Sequence, residues 1–438
     1  MALEARIRSK AAVIGVIGLG YVGLPLALEF SLAGYRVIGL DIQPDRVLAL
    51  REGRSYVLDV TGTQVKEAVA SGRLEPTGDV ARLSETDAII ICVPTPLRKT
   101  KDPDLSYIVA AVNSLRPYLH RSMLVVLEST SYPGTTEDLV RSAVEAAGYE
   151  VGSDVFVCFS PERVDPGNRV YMTKNTPKVV GGITPACTEM GALLYSQIVD
   201  AVVPVSSARN AEMVKLLENT FRAVNIALIN ELAMMCERIG VDIWEVIDAA
   251  STKPFGFMPF YPGPGIGGHC IPLDPAYLSW KARTHNFHDR FIDLASDINA
   301  NMPAHVVRRI GEILNLEGKP LSGSRVLALG VAYKRNVNDI RESPGLDVIR
   351  LLRQSGTLVG YSDPHVPELH VEAPVMKSID LTPDTLNEYD CAVLLTDHSA
   401  FDLDLIARYA RVVLDTRNAF KRFSQSNILR IGAALPSH

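Results

Sequence analysis

The segment from Val13 to Asp41, VIGVIGLGYVGLPLALEFSLAGYRVIGLD, constrains the fold more than any other part of this 438-residue chain. It begins with a short apolar run, continues through Gly18, Gly20 and Gly23 in G-x-G-x-x-G spacing, and ends on an acidic residue. The glycines stand where a strand pattern gives way to an apolar helical pattern over about residues 22–33. The segment therefore predicts a strand, a tight turn, a helix and a second strand.

Each position in this segment has a physical reason in a dinucleotide site. Gly18 permits the tight turn, Gly20 lets the backbone approach a pyrophosphate, and Gly23 allows the helix to pack closely on the strand. The helix N-terminus stabilises the anion. Asp41 is placed to bind the adenosine ribose hydroxyls, and its charge would repel a 2′-phosphate, so the segment predicts NAD rather than NADP. The alternative is that the glycines only pack a turn.

The rest of the chain predicts an α/β protein with two Rossmann-like, doubly wound parallel-sheet domains. Apolar strands alternate with helical patterns up to about residue 205 and again after about residue 325. Between them, an amphipathic pattern over about residues 207–239 predicts a helix of roughly 50 Å that joins the lobes and packs against a second subunit. Helical patterns follow at residues 243–250 and from 276 to about 312. We expect domains at residues 1–205, 206–315 and 316–438.

Composition excludes several classes of protein. The hydrophobic content of 47% with 21% charged residues is that of a globular chain able to bury real cores. The net charge is -6 and Lys and Arg are scattered, so we expect no nucleic-acid or membrane partner. Six separated cysteines without a CxxC pair fit a reducing cytoplasm. The uncharged run over residues 11–28 contains four glycines and a proline, which suit a strand and a turn better than a signal peptide.

The stretch PGPGIGGHCIPLDP, residues 262–275, sets Cys270 among glycines and prolines that exclude a helix interior or an ordinary strand. It is therefore a shaped loop, and the residues alone leave open whether it is a linker with a buried thiol. Lys215 and Asn219 stand four apart on the long helix and share a face. A lysine on an apolar face is costly unless it is paired or functional, although its stem could simply cover apolar surface.

The second lobe carries only Gly330 where the dinucleotide pattern needs three glycines. We therefore expect it to bind something other than a second dinucleotide. Lys334, Arg335 and Arg341 follow its first strand, at the sheet edge where such folds bind ligands. A solvated charged loop is the alternative.

Six ordered motifs resemble the nucleotide-sugar 6-dehydrogenases, the family of the UDP-glucose and GDP-mannose dehydrogenases. They are GVIGLGYVGLPLA, EST at 128–130, SPER at 160–163, EMVKLLENTF, GIGGHCIPLDP and YKRNVNDIRES. The resemblance covers nearly the whole chain. The form PGPGIGGHCIPLDPAYLSWKA is most similar to enzymes of UDP-N-acetylhexosamines, in particular UDP-N-acetyl-D-glucosamine 6-dehydrogenases.

The resemblance implies a four-electron oxidation of the sugar C6 alcohol to a carboxylate with two NAD+. Cys270 matches the nucleophile that forms a thiohemiacetal and then a thioester. Lys215 and Asn219 match the pair that stabilises oxygen charge at C6, and Asp274 matches the neighbouring acid/base residue. Two further positions match groups that orient water and assist proton transfer, namely Thr130 and Glu162.

The resemblance also implies the binding residues and partners. Lys334 matches a residue that binds the substrate nucleotide in the third domain, and Arg341 one that reaches the cofactor. Arg163 stands where the family often has an apolar residue, so we expect sugar contacts unlike those of UDP-glucose enzymes. The other expected cofactor residues are Tyr21, Val22, Arg46 and Thr95, besides Thr130. The other expected substrate residues are Tyr261, Gly265 and Gly267, whose loop amides would close around a UDP-sugar.

We expect a cytoplasmic homodimer or higher homo-oligomer that makes UDP-N-acetylglucosaminuronate for surface polysaccharide. UDP-N-acetylmannosamine and UDP-glucose are the alternative substrates. A two-electron 3-hydroxyacid dehydrogenase and a non-catalytic NAD-binding protein are the alternative functions. We expect no metal, although His269, Cys270 and Asp274 are all ligand types, because no further Cys or His stands at ligand spacing.

Overall fold

The computed structural model describes residues 2–57, 59–98, 102–164, 168, 170–268, 271–370 and 374–436. The chain divides into two compact units: the first contains residues 1–218 and 276–287, and the second contains residues 219–275 and 288–438. The long helix Ala208–Ile239 begins in the first unit and ends in the second. This confirms the helix predicted over about residues 207–239.

The first unit is built around one large sheet. Its strands in the described part of the chain are β1 (Val13–Ile17), β2 (Arg36–Leu40), β3 (Leu74–Thr77), β4 (Ala88–Ile91), β5 (Met123–Leu127), β6 (Val155–Phe159), β7 (Lys178–Gly182) and β8 (Val202–Val205). They pair in the order β3-β2-β1-β4-β5-β6-β7-β8. The first six follow the 3-2-1-4-5-6 order of a doubly wound dinucleotide-binding sheet, so the strand order reverses between β1 and β4.

One strand pair departs from the predicted parallel arrangement. β7 runs antiparallel to β6, with Cys158 opposite Gly182 and Phe159 opposite Gly181. The other pairs between described strands of this sheet are parallel. The described residues between β6 and β7 contain no helix. A parallel strand needs a long crossover, usually a helix, whereas an antiparallel strand does not, so this connection favours reversal.

Both faces of the first sheet are buried, as its continuous apolar strands predict. Ile90 of β4 packs in one core cluster together with Phe30, whereas Ile89 and Ile91 pack in another cluster with Ile108. Successive residues of a strand point to opposite faces, so one strand contributes to two cores.

The second unit contains a smaller parallel sheet. Its strands are β9 (Arg325–Leu329), β10 (Leu358–Ser362), β13 (Cys391–Leu394), β14 (Val413–Asp415) and β15 (Ile428–Arg430), and a separate antiparallel pair is formed by β11 (Glu368–Leu369) and β12 (Met376–Lys377). The parallel strands pair in the order β10-β9-β13-β14-β15. This is the flavodoxin-like doubly wound order, in which the strand order reverses between β9 and β13. Two doubly wound sheets, with helical segments between them along the chain, confirm the predicted fold class.

Along the chain, the described helices stand before or between these strands. They are α1 (Leu3–Arg8), α2 (Gly23–Leu32), α3 (Pro44–Arg51), α4 (Gly62–Ala70), α5 (Ser106–Leu115), α6 (Ser142–Ala146), α7 (Pro185–Tyr195), α8 (Ala208–Ile239), α9 (Ile243–Ala250), α10 (Asp274–Thr284), α11 (Arg290–Leu316), α12 (Pro344–Gln354), α13 (Pro383–Asn387) and α14 (Leu403–Tyr409). None of the helices in the described ranges combines the length and apolarity that a membrane crossing requires.

The helical pattern predicted from residue 276 to about 312 is interrupted. α10 ends at Thr284 and α11 begins at Arg290. Between them Asn286 has a φ of 56°, a left-handed conformation that asparagine tolerates better than most residues. The amide of Phe287 donates to the Ala282 carbonyl, which closes the first helix. Periodicity continued through the break because apolar residues stand on both sides of it.

Candidate active site

The three glycines of the first turn are required for three different reasons. Gly18 has a φ of 93°, and a Cβ there would lie 2.7 Å from the Cys92 carbonyl oxygen. A Cβ on Gly23 would lie 1.9 Å from the Gly18 carbonyl oxygen, so α2 could not approach β1. A Cβ on Gly20 would meet no described heavy atom within 4 Å. Gly20 therefore leaves room for a ligand rather than for the protein's own packing, which fits a pyrophosphate.

Asp41 is buried at the end of β2 beside this turn. Its Oδ2 accepts a hydrogen bond from the Leu19 amide at 3.0 Å, and its Oδ1 accepts one from the Gln43 amide at 2.9 Å. Arg46 lies 3.6 Å from Oδ2, with its guanidinium 5.4 Å from the Tyr56 ring centroid. Asp41 and Arg46, both predicted cofactor residues, thus lie together next to the glycine turn.

The remaining predicted cofactor residues of the first unit lie near the same sheet edge. Tyr21 and Val22 belong to the turn itself, and Tyr21 is exposed. Thr95 follows β4, on the other side of the point where strand order reverses, and its carbonyl accepts a hydrogen bond from the Tyr277 hydroxyl at 3.0 Å. Thr130 follows β5 and is half-buried. Ligands of doubly wound sheets bind at this reversal point, beyond the carboxyl ends of the strands.

Glu162 and Lys215 are in direct contact. The Lys215 Nζ donates a hydrogen bond to the Glu162 backbone carbonyl at 2.6 Å. The Glu162 carboxylate accepts hydrogen bonds from the amides of Arg163 at 2.7 Å and Val164 at 2.6 Å. Burial acts to raise the pKa of Glu162, but the Lys178 ammonium, these amides and the Lys215 ammonium hold it below its ordinary value. Glu162 is therefore an ionised carboxylate next to the predicted catalytic lysine.

Sequence reasoning missed Lys178, which is buried and lies within 3.3 Å of the Glu162 carboxylate and 3.1 Å of Glu128. A lysine at the start of an apolar strand, PKVVGG, was the available signal. That lysine indicated no role by itself, because the sequence does not show which residues it contacts.

Arg163 is engaged by the protein itself. Its Nη2 lies 2.6 Å from Glu218, and its Nη1 donates to the Pro177 carbonyl at 2.7 Å. The guanidinium therefore ties the segment after β6 to the long helix. Its predicted contact with the substrate stays a prediction.

In the second unit, Asn219 and Asp274 are brought together. The Asn219 Nδ2 donates a hydrogen bond to Oδ2 of Asp274, which is buried at the start of α10. The two residues come from segments 55 positions apart. Cys270 and His269 lie outside the described residues, so their predicted roles and the zinc alternative stay hypotheses.

The glycines before Cys270 pack against the second unit's own chain. A Cβ on Gly265 would lie 3.0 Å from the Pro344 side chain, and one on Gly267 would lie 2.8 Å from both the Glu342 carbonyl oxygen and the Tyr333 side chain. The Gly268 amide donates to the Arg341 carbonyl at 3.2 Å. This amide is already satisfied by protein. These glycines thus let residues 265–268 lie against residues 333–344, a packing role beyond the predicted closure around substrate.

Two more buried polar contacts involve the same loop. The Asn230 Oδ1 accepts a hydrogen bond from the Gly263 amide at 3.0 Å, and its Nδ2 donates to Asn299 at 2.9 Å. Tyr261 is half exposed and stacks on Trp244 with ring centroids 6.1 Å apart. The start of the loop is therefore tied to α8 and α11.

Cations of the second unit follow its central strands. Lys334 is half-buried in the segment after β9, and Arg341 is exposed and bonds Asp339 at 2.6 Å. Sequence reasoning missed Arg417, which follows β14 and donates from Nε to the Leu395 carbonyl at 2.8 Å. Burial lowers the pKa of Arg417. Two half-buried cations, Lys334 and Arg417, thus follow the carboxyl ends of neighbouring parts of one parallel sheet, where an anionic nucleotide fits.

The His398 ring joins the segment after β9 to the sheet. Its Nδ1 accepts a hydrogen bond from the Asn336 amide at 2.9 Å, so Nε2 carries the proton shared with Asp363 at 3.1 Å. Asp363 also accepts hydrogen bonds from the amides of Val331 and Ala332. In the second unit, Asp363, the acidic residue that follows β10, therefore holds the turn after β9.

A glycine turn with open space at Gly20, a buried aspartate beside that turn and a lysine bonded to the Glu162 carbonyl fit a dinucleotide-dependent oxidoreductase of the doubly wound class. The sequence comparisons specify it further. Residues 12–199 match the NAD binding domain, residues 209–301 the central domain and residues 327–422 the UDP binding domain of the UDP-glucose/GDP-mannose dehydrogenase family. The chain belongs to this family.

Relatives named for different substrate sugars resemble nearly the whole chain. A UDP-N-acetyl-D-mannosamine dehydrogenase of Methanococcus maripaludis is 37% identical over 92% of both chains. A UDP-N-acetyl-D-glucosamine 6-dehydrogenase of Pseudomonas aeruginosa is 36% identical over 96% of this chain and 94% of its own. The solved UDP-D-ManNAc dehydrogenase of Pyrococcus horikoshii has a TM-score of 0.88 at 33% identity and covers 96% of this chain and 99% of its own.

These findings confirm the resemblance, the enzyme class and the cofactor. The chain is an NAD-dependent nucleotide-sugar dehydrogenase whose third domain binds UDP. The substrate sugar differs among the relatives, because their names give N-acetylmannosamine and N-acetylglucosamine at nearly equal identity.

Proposed function

We propose that this enzyme oxidises the C6 alcohol of a UDP-N-acetylhexosamine to the carboxylate, with UDP-N-acetylglucosamine as the first substrate to test. The observation that carries the proposal is the order of NAD-binding, central and UDP-binding domains along one chain. The contact between Asn219 and Asp274, four residues after Cys270, supports the assignment of the central domain to the chemistry.

NAD+, when bound, accepts a hydride from the sugar carbon in each of two oxidation steps. The first step turns the alcohol into an aldehyde and releases one proton. The Cys270 thiol then adds across the aldehyde C=O bond to form a thiohemiacetal, since a bare aldehyde has no hydroxyl hydrogen whose loss can accompany hydride departure. Loss of the second hydride and the hydroxyl proton gives a thioester. Water adds, the C–S bond breaks, and the thiol, a carboxylate and one proton are released.

The remaining residues have electrostatic and proton-transfer roles in this scheme. Lys215 and Asn219 stabilise the negative charge that develops on the C6 oxygen. Asp274 moves the proton at that oxygen, and Glu162 with Thr130 orients and deprotonates the hydrolytic water. The ionised state of Glu162 supports a base role for it. Lys334 and Arg417 hold the UDP phosphates, and the expected NAD contacts of Arg341, Tyr21 and Val22 stay predictions.

The names of the relatives favour an N-acetylated sugar. Two of the relatives are named for N-acetylmannosamine and N-acetylglucosamine. A third is an NDP-N-acetyl-D-galactosaminuronic acid dehydrogenase of Ralstonia solanacearum, with 37% identity over 92% of this chain and 95% of its own. The sugars in all three names carry a 2-acetamido group. UDP-N-acetylmannosamine is therefore the second candidate. UDP-glucose is the third.

A substrate panel tests the proposal. Purified enzyme with NAD+ is assayed on UDP-N-acetylglucosamine, UDP-N-acetylmannosamine, UDP-N-acetylgalactosamine, UDP-glucose and GDP-mannose, and NADH is counted per sugar consumed. Two NADH per sugar are expected. One NADH per sugar would contradict the thioester scheme and favour a two-electron dehydrogenase. No NADH with any sugar, despite measurable NAD+ binding, would favour the non-catalytic alternative.

Cys270→Ala and Cys158→Ala form a matched pair for the nucleophile. Cys158 is fully buried in the first unit and has no proposed part in the chemistry. Cys270→Ala is expected to abolish uronate formation, and Cys158→Ala to retain two NADH per sugar. Full double oxidation by Cys270→Ala would remove Cys270 from the scheme.

We also infer that the enzyme is at least a homodimer. Large apolar side chains are exposed at helical spacing on the second-unit part of α8, namely Phe221, Leu228 and Met235. They repeat every seven residues and form one stripe, which a second copy would cover. Sedimentation at micromolar concentration measures the oligomeric state. Leu228→Glu is expected to shift the enzyme toward the monomer. The cytoplasmic location, the polysaccharide pathway and the domain boundaries near residues 205 and 315 stay predictions.

A further inference from the structure

Lys178 lies opposite Glu162 because β7 is antiparallel to β6. The pairing of Cys158 with Gly182 and Phe159 with Gly181, continued toward the end of β6, brings the first residue of β7 across from Glu162. A parallel β7 would have placed Lys178 at the other edge of the sheet. The antiparallel direction of β7 therefore places the Lys178 ammonium at the edge of the sheet that carries the predicted catalytic residue Glu162.

Lys178 joins two carboxylates in the interior. Its Nζ lies 3.1 Å from Oε1 of Glu128 and 3.3 Å from Oε2 of Glu162, and its side chain is only 5% exposed. The Tyr195 hydroxyl donates a hydrogen bond to Glu128, and the Lys178 Nζ lies 5.2 Å from the Tyr195 ring centroid. A buried ammonium is stable only when it is paired in this way.

The Glu162 side chain is held on both oxygens. Oε1 accepts the amides of Arg163 and Val164, and Oε2 faces Lys178, while Lys215 holds the backbone carbonyl of the same residue. Two lysines from different elements thus fix the side chain and the main chain of one glutamate. Such a residue has little freedom to leave its position.

The charges in the cluster divide unevenly between the two glutamates. Burial raises the pKa of Glu128, whose Oε2 is buried and accepts no hydrogen bond from any described residue. The pKa of Glu162 is lowered, since Lys178 and the amides outweigh burial. In the described part of the chain, Cys92, Cys158 and Tyr195 also face the cluster, and burial raises the pKa of each well above the ordinary value. Of the two carboxyl groups, Glu162 therefore gives up its proton more readily.

We propose that Lys178 is a positioning residue that keeps the Glu162 carboxylate ionised and fixed in place for the proton transfer that ends the reaction. The proposal rests on the proposed function, in which Glu162 deprotonates the hydrolytic water. Lys178 itself is too deeply buried between the two glutamates to touch substrate. Its effect reaches the chemistry only through Glu162.

The pH profile of kcat tests this role with Lys178→Met, Lys178→Arg and Glu128→Gln. Without the ammonium, Glu162 binds a proton more readily, so the acidic limb of Lys178→Met is expected to move up by at least about one pH unit. The KM values for NAD+ and for the UDP-sugar are expected to stay within about threefold. Lys178→Arg should return the acidic limb to within about 0.3 pH unit of its wild-type position, because arginine keeps the positive charge.

Glu128→Gln separates the proposed role from simple loss of packing. It removes the carboxylate that competes for Lys178, so the acidic limb is expected to stay in place or move down. A Lys178→Met variant that folds and keeps the wild-type limb would overturn the proposal. If Lys178→Met does not fold, the double variant with Glu128→Gln removes one buried charge of each sign, and its limb is expected to move up in the same way. An unmoved limb in the double variant would equally overturn it.

Unfolding measurements keep the test independent of the reaction. If wild-type enzyme oxidises no UDP-sugar, the proposed function has failed, but the Lys178–Glu162 link is still measurable at pH 7. The drop in urea midpoint caused by Lys178→Met is then expected to shrink by about half in a Glu162→Gln background, because the partner charge is already gone. Equal drops in both backgrounds would show that the two residues are not coupled and would reject the proposal.

Discussion

Asn219 donates a hydrogen bond from its side-chain amide to the carboxylate of Asp274, and α8 thereby contacts the first residue of α10. The amide can serve only as a donor toward this oxygen, so it orients the carboxylate without competing for its proton. Asp274 is buried, and a buried carboxylate depends strongly on such donors. The pair is therefore sensitive to any change in charge at position 219.

Asn219→Asp places two carboxylates within hydrogen-bond distance, and one of them must then take up a proton near neutral pH. We expect kcat at pH 7 to fall at least about tenfold and the pH optimum to rise, since mutual repulsion raises the pKa of one group. Asn225→Asp on the same helix is the control, because its side chain bonds the Phe221 carbonyl one turn away rather than a carboxylate. Equal effects of the two changes would contradict the assignment.

Gly20→Ala and Gly23→Ala are expected to fail in different ways. A Cβ at Gly20 meets no described atom within 4 Å, so the melting temperature without NAD+ should hardly change, while NAD+ binding weakens at least about tenfold. A Cβ at Gly23 meets the Gly18 carbonyl oxygen at 1.9 Å, so this variant should lose several degrees without any ligand.

Calorimetry with and without NAD+ measures both effects. Gly311→Ala inside α11 is the control, because a Cβ there also meets no described atom within 4 Å and should leave NAD+ binding unchanged. Unchanged NAD+ affinity in Gly20→Ala would remove the pyrophosphate from that turn.

Glu212 is expected to make stability depend on pH. It is buried on α8 and accepts hydrogen bonds from the Gly134 amide at 2.6 Å and the Thr136 amide at 2.8 Å. Burial raises the pKa of Glu212 to about 7 from 4.5 despite these donors. The folded chain therefore holds this proton more tightly than the unfolded chain does. Its contribution to stability is complete below about pH 4.5 and is lost as the pH rises to about 7.

Urea unfolding between pH 5 and 8 measures this contribution, which amounts to about 3 kcal/mol across the whole window. Glu212→Gln cannot ionise and should lack the decline in stability between about pH 5 and 7 that wild type has. The exposed Glu189→Gln should keep the wild-type decline. Parallel curves for wild type and Glu212→Gln would assign the pH dependence to other groups.

Arg163→Leu distinguishes an internal tie from a substrate contact. Glu218 and the Pro177 carbonyl lose their partner in this variant, so the free energy of unfolding should fall by about 1–2 kcal/mol. The KM for the UDP-sugar should change by less than about threefold. Arg141→Leu, which breaks an exposed pair with Glu145, is the control and should lower the free energy of unfolding less than Arg163→Leu does. A large rise in KM at unchanged stability would instead place Arg163 at the sugar.

The dinucleotide turn could be predicted from sequence because its determinants are local. Gly18, Gly20 and Gly23 act within one strand, turn and helix, and Asp41 ends the next strand of the same βαβ unit. Short-range chain geometry relates these residues whatever the rest of the molecule does. The helix over residues 208–239 was equally predictable, since its periodicity is carried by its own residues.

Residues that depend on distant partners could not be predicted in this way. The signal for Lys178 was one lysine before an apolar strand, and the signal for Glu212 one acidic residue in a helical pattern. Their roles come from Glu162, Glu128 and Thr136, which belong to other elements. The break at Asn286 was missed for a related reason, because one left-handed residue ends a helix without altering the apolar pattern around it.

The sequence by itself determined two doubly wound lobes, the NAD turn and the order of the catalytic motifs, because spacing along one chain encodes them. The tertiary structure decided the direction of β7 and hence which residue faces Glu162. Strand direction depends on how a connection folds back on the sheet, and the side chains of a strand do not record it. A buried lysine acquires a function only when that choice brings two carboxylates within hydrogen-bond distance of its ammonium.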